Sequence, residues 1–251
     1  MHNKYWATVE ISIRQQLAQK GQLLGRLILY FVIVYLFSQV FQSVSAGNNR
    51  IWYLAITEWL TLSTPPIAYR IAEDIRSGQV VYFMLRPLHY LWLRFCECMG
   101  ISLVRFIILG FCCLGFGYYL TGAFPSSSTT LTIGLVLGIL SVILYSLLSI
   151  LIGVFSFWLK EIQPLIYLNL TATFCFGGLI VPLGFYSDTL RTISFATPYP
   201  WMLWWPAEYM TGTAPNLMLA FLVFAGWTAV ILGLIIILYQ KCLENFVSEG
   251  G

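Results

Sequence analysis

Glu58 is the residue whose setting most invites chemistry. It falls about two helical turns inside an apolar run, with Thr57, Thr61 and Ser63 beside it. An ionisable group there is costly unless it is paired or faces water, so it marks a place for a proton, a cation or a cationic molecule. The competing reading places Glu58 at the outer interface, with Arg50 as its partner. Glu97 and Arg105 stand two turns apart in another run and read as an interfacial pair or as snorkelling groups. Cys96-Glu97-Cys98 sets two thiols one residue apart, pointing in different directions on a helix, which does not suit a metal site. The vicinal Cys112-Cys113 reads as packing. No lysine is followed by Ser or Thr, so there is no P-loop, and neither His2 nor His89 belongs to an HExxH motif. GxSxG is absent, and Asp74 and Asp188 lie outside the apolar runs, leaving no aspartate pair for intramembrane proteolysis. The sequence therefore predicts no catalytic residue, no metal site and no cofactor on this chain.

The elements that must position these residues are six apolar runs, at about 23–44, 51–69, 95–120, 131–158, 164–183 and 216–240. A hydrocarbon core about 30 Å thick is crossed by roughly 20 helical residues. Standing alone in lipid, only a helix satisfies its own backbone at this length, so the fold is read as an all-α membrane protein with six transmembrane helices. The chain is 59% hydrophobic and 9% charged, against about 45–50% and about 25% in soluble domains. In a six-span threading, 11 of the 13 Lys and Arg residues fall on or near one side, with only Arg50 and Arg191 opposite. That excess marks the cytoplasmic face and predicts that both termini are cytoplasmic. The first 20 residues are too polar for a cleavable signal, so the first span is expected to be retained. The six cysteines lie in spans or at the cytoplasmic side and suggest no disulfide framework.

Residues 1–22 are predicted to form an amphipathic interfacial helix, with Trp6, Val9, Ile13 and Leu17 on one stripe and Lys4, Arg14 and Lys20 elsewhere. Residues 23–251 then make a single six-span domain. Pro65-Pro66 breaks the second span, and a cytoplasmic loop at about 70–94 follows, opening on a short helix that stops near Gly78. Gly134 and Gly138, with Ser141, Ser149 and Gly153, read as a packing seam, as do Gly226 and Gly233. The fifth span carries Asn169, Thr171 and Thr173, then Gly177, Gly178 and Pro182. Beyond it, about 184–215 is rich in Trp and Tyr, and helices at 186–196 and 201–211 are predicted to fold back as a re-entrant extracytoplasmic hairpin.

This arrangement resembles the type-2 ABC exporter permeases. Glu73-Asp74-Ile75-Arg76-Ser77-Gly78, then Leu85-Arg86-Pro87-Leu88, is similar to the loop of a branch found beside daunorubicin-resistance-like ATPases and including viologen-type exporters. Val181-Pro182-Leu183-Gly184-Phe185-Tyr186, then Pro198 and Pro200-Trp201, resembles that branch's link into the hairpin, and Phe157-Trp158-Leu159-Lys160-Glu161 follows the fourth span as it does there. The resemblance implies a permease subunit without its own ATPase, in a bacterial cytoplasmic (inner) membrane. Two copies of a cytoplasmic ATP-binding-cassette ATPase would carry ATP and Mg, and a second permease, identical or paralogous, would complete the path. Glu73, Asp74, Ile75, Arg76, Ser77 and Gly78 would form the coupling helix. Glu58, Thr61, Asn169, Thr173 and Phe176 would line the path, and Phe185, Tyr199, Trp201 and Trp204 the outer gate. The implied cargo is an amphipathic drug, a cationic toxicant or a lipid-like molecule, and no nucleic acid. An ion- or proton-coupled secondary transporter, an intramembrane enzyme and a non-transporting assembly subunit are the other readings. The first would show internal repeats, and none is found.

Overall fold

The computed structural model describes residues 2–43, 47–84, 89–125, 128–212 and 216–249, and among them every regular element is helical. The Leu85–Leu88 string and the last residues of the predicted hairpin, 213–215, lie outside the described residues.

Burial follows from which helices lack a polar face. In α3 (Gly47–Ser63) every side chain from Ile51 to Leu60 is buried. A helix that is apolar nearly all round must be enclosed. α2 (Lys20–Ser43), α6 (Tyr90–Thr121), α7 (Ser128–Val154) and α11 (Trp204–Met210) pack against it. Glycines on α6 make room for its indoles. A Cβ at Gly117 would come within 2.5 Å of the Trp52 ring, and one at Gly110 within 2.9 Å of Trp59. Both indoles are also tethered, Trp59 Nε1 donating to the Phe106 carbonyl at 2.8 Å and Trp52 Nε1 to the Ala123 carbonyl at 3.0 Å. The seam on α7 is used as expected from its small residues: Gly134 receives Met210, Gly138 receives Leu60, and Gly153 receives Ile71 and Ala68. Gly226 and Gly233 of α12 (Leu217–Glu249) meet nothing within 4 Å, so that predicted seam is not used within this chain.

Among the described residues, four helices are long and apolar enough to cross a membrane: Lys20–Ser43, Tyr90–Thr121, Thr129–Phe157 and Leu217–Cys242. The predicted second span, 51–69, stops at Ser63, because Pro65 and Pro66 offer no N–H to continue the ladder, and α4 (Ile67–Arg76) starts afresh, followed by the short α5 (Gln79–Met84). The predicted fifth span, 164–183, stops at Gly177 of α8 (Gln163–Gly177), where Gly178 turns left-handed at φ +66°. At about 1.5 Å per residue, α3 is about 26 Å long and α8 about 22 Å. Four full-length helices and two shorter ones thus stand where six spans are predicted.

α1 (His2–Ala18) lies along α6, where Gly100 lets the backbone of Val9 approach so closely that a Cβ would sit 2.6 Å from its carbonyl. The buried stripe of α1 is small and polar, Ser12 and Gln16, whereas Trp6 is 70% exposed and Leu17 49%. The expected apolar stripe is therefore divided, its two ends facing outward and Val9 and Ile13 half-buried.

After α8 come α9 (Asp188–Phe195), α10 (Tyr199–Met202) and α11. The predicted helix 201–211 is broken at Leu203. Pro206 lacks the N–H that would reach the Met202 carbonyl one turn back, and that carbonyl accepts a hydrogen bond from Ser141 Oγ of α7 instead.

Candidate functional site

α4 sorts its side chains between an inner and an outer face. Ile67, Ala68, Ile71, Ala72 and Asp74 are buried, while Glu73, Arg76 and Ser77 are exposed and Ile75 and Gly78 half-buried. The sequence-predicted coupling residues are therefore contiguous in chain but divided in role. Asp74 Oδ2 accepts from Tyr90 Oη at 2.6 Å and is paired with Arg94. Arg94 also pairs with Glu97, whose other oxygen pairs with Arg70. This chain of alternating charges, Asp74–Arg94–Glu97–Arg70, fastens α4 to α6. The expected Glu97–Arg105 pair is not formed; Arg105 instead donates to Gln16 of α1. On the outer face, Arg76 Nη2 donates to the Lys160 carbonyl at 2.9 Å, tying α4 to the Phe157–Glu161 string. Glu73 and Arg76, with Tyr69, Ala72, Ile162 and Gln163, line a groove of about 290 Å³. Ser77 closes the helix by donating from Oγ to the Glu73 carbonyl at 2.8 Å, and Gly78 follows at φ +72°. Arg94-x-x-Glu97 was readable as an i,i+3 pair on a helix. The Arg70–Glu97 and Asp74–Arg94 links cross between elements and leave no local signal.

The predicted pathway residues form two groups rather than one. Asn169 and Thr173 share a face of α8, where Thr173 Oγ1 donates to the Asn169 carbonyl at 2.7 Å. The Tyr199 hydroxyl of α10 donates to Asn169 Oδ1 at 3.1 Å. Burial pushes the Tyr199 phenol up to about 12, so it stays protonated as a donor. Tyr145 of α7, which sequence reasoning missed, lies beside Thr173 and Asn169. Phe176 lies half-buried on the same helix. Glu58 and Thr61 belong to α3. Among the described residues, Thr61 Oγ1 bonds only back to the Thr57 carbonyl at 2.9 Å, within its own helix. Glu58 is 4% exposed, and among the described residues no cation and no donor meets its carboxylate. Arg50 does not pair with it; the guanidinium sits 4.3 Å above the Phe185 ring. α3 reaches the turn after α8 through Tyr53 Oη, which donates to the Gly178 carbonyl, and Thr57 Oγ1, which donates to the Leu179 carbonyl at 2.6 Å.

The predicted gate residues are also divided. Trp201 is buried and Trp204 half-buried, in a cluster with Phe195 and Trp205 whose ring centroids are 4.9–5.8 Å apart. Such offset and edge contacts are the favoured aromatic geometries. Tyr199 joins the α8 polar group, and Phe185 stands apart, 58% exposed beneath Arg50.

The family model of the ABC-2 family transporter protein matches residues 24–250, and the chain belongs to that family. No curated protein matches the chain in sequence. It is thus an ABC transporter permease, a membrane subunit of a kind that does not hydrolyse ATP itself and usually works with an ATPase partner.

Proposed function

We propose that this chain is the permease of an ATP-driven exporter that moves an amphipathic molecule out of the cytoplasm or the inner leaflet. The carrying observation is α4. Its inner face is fastened by Asp74 to the α6 charge network, and its outer face presents Glu73 and Arg76 beside the 290 Å³ groove. A short helix fixed on one side and polar on the other suits docking into a partner ATPase. In this reading two such ATPases bind below, carrying ATP and Mg, and a second permease, identical or paralogous, faces this one. α3 and α8 act as the second and fifth of six spans, α1 lies in the interface, both termini are cytoplasmic, and α9–α11 form a re-entrant outer gate in a bacterial inner membrane. ATPase closure moves α4, and the stiff helices pass that movement on as rigid-body tilting.

Affinity purification of the chain in mild detergent from its host, with mass spectrometry of what accompanies it, tests this reading. A P-loop ATPase, with or without a second permease, is expected. A chain that purifies alone where known complexes survive would sink the proposal. Glu58 and the aromatic outer segment suit a cationic cargo of the viologen type. Export of a dicationic dye should fall in Glu58→Gln, and unchanged export removes the charge argument.

A further inference from the structure

A second polar pocket lies where α1, α2, α6 and the Pro65-Pro66 turn meet. It has a volume of about 200 Å³, and its lining includes Gln16, Gln22, Arg26, Arg70, Arg105 and Pro66. Three guanidinium groups thus converge on one small space. Arg70 is neutralised by Glu97, and both Glu97 oxygens are already taken, by Arg70 and Arg94. Arg26 and Arg105 make no ion pair among the described residues. Arg105 is 3% exposed. Its Nε and Nη2 donate to Gln16 Oε1 at 3.1 and 2.8 Å, while its Nη1 is buried without a partner. Arg26 Nη1 donates to the Leu62 carbonyl at 3.3 Å, and its Nε is likewise buried and unpartnered.

Two uncompensated cations with spare buried donors are costly in a low-dielectric setting unless an anion joins them. Guanidinium forks fit tetrahedral phosphate oxygens, and the glutamine amides add neutral donors. The pocket opens beside α1, whose outward Trp6 and Leu17 suit the lipid interface. It also lies at the end of the helices where Lys and Arg gather, the setting in which basic pockets between membrane helices take lipid head groups. We propose that this pocket binds the phosphate of an anionic phospholipid and thereby seats α1 on the bundle. The site is distinct from the α8 polar group and does not depend on the transport reading.

The test uses the full chain, delipidated in neutral detergent and mixed with micelles containing either phosphatidylglycerol or phosphatidylcholine. Native mass spectrometry counts retained lipid, and thermal unfolding is followed in parallel. Phosphatidylglycerol should be retained and should raise Tm, and phosphatidylcholine should do neither. Arg105→Gln should weaken retention about tenfold or more, the loss expected for a charge-assisted contact. It should unfold no earlier than the parent without lipid, because a buried uncompensated charge has gone. Arg26→Gln, at a half-buried position, should also weaken retention and reports independently if Arg105→Gln does not insert. Arg14→Gln, outside the pocket, should bind as the parent does. Inorganic phosphate added alone separates the sources. Protection by phosphate without retention of phosphatidylglycerol would overturn the lipid assignment. Equal retention of both lipids, or unchanged retention in both pocket variants, would overturn the site.

Discussion

Asp74 turns its carboxylate into the bundle, and Arg76, two residues on, faces outward beside the groove. The two should fail differently. Asp74→Asn removes one partner of a buried charge chain and is expected to cost on the order of 3 kcal/mol, since Arg94 keeps Glu97. The reading is a lowered Tm in detergent. Arg76→Glu gives up only the exposed bond to the Lys160 carbonyl, so it should lower Tm far less than Asp74→Asn while abolishing stimulation of the partner ATPase; normal stimulation would remove α4 from the docking role. Gly100 makes a second contrast at this scale. Its Cβ would meet backbone rather than a flexible side chain, whereas one at Gly115 would meet nothing within 4 Å. Gly100→Ala should therefore destabilise by about 1–3 kcal/mol and expose α1 to proteolysis, with Gly115→Ala neutral. Sequence alone marked Asp74 and Arg76 as one string, because what separates them is the direction each faces, which only packing against α6 decides.

At the level of elements, the punctuation was legible and the lengths were not. Pro65-Pro66 and Gly178 end α3 and α8, and both were visible as breakers. Hydropathy nevertheless carried the predicted spans six residues past each helix end, because the apolar side chains continue into α4 and into the turn after Gly178. The division of 201–211 was missed for a related reason. Pro206 is tolerated in the first turn of α11, so only its unmet obligation to Met202 reveals the break. This gives a non-additive prediction. Ser141→Ala should cost about 1–3 kcal/mol by leaving the Met202 carbonyl without a donor. Adding Pro206→Ala restores an N–H one turn away and should recover part of that loss. Thermal unfolding of the two single variants and the double variant closes the cycle, and strict additivity would show that Ser141 and Pro206 act independently.

For the whole molecule, composition and periodicity gave the all-α membrane class, and the resemblance carried by the Glu73–Gly78, Phe157–Glu161 and Val181–Tyr186 strings pointed to the family, while the polar clusters came only from the fold. Asn169 and Tyr199 lie 30 residues apart, and no spacing rule joins them. α8 leaves Tyr167, Leu168, Phe174 and Cys175 exposed, an outer face that would receive the second permease proposed above. Cys175 should react readily with a maleimide in the isolated chain and become protected in the assembled transporter; equal labelling would place the second permease elsewhere. α1 adds a constraint in time. Its buried stripe is built for α6, and Gln16 meets Arg105 across a sequence separation of 89. At about 5–20 residues per second of synthesis, α1 waits roughly 4–18 s before that partner has been made. In the interfacial reading proposed above, Trp6 and Leu17 would hold it on the bilayer meanwhile, with Ser12 and Gln16 turned to water. α1 is thus made well before the helix that seats it, and it cannot take its place until the chain extends as far as Arg105.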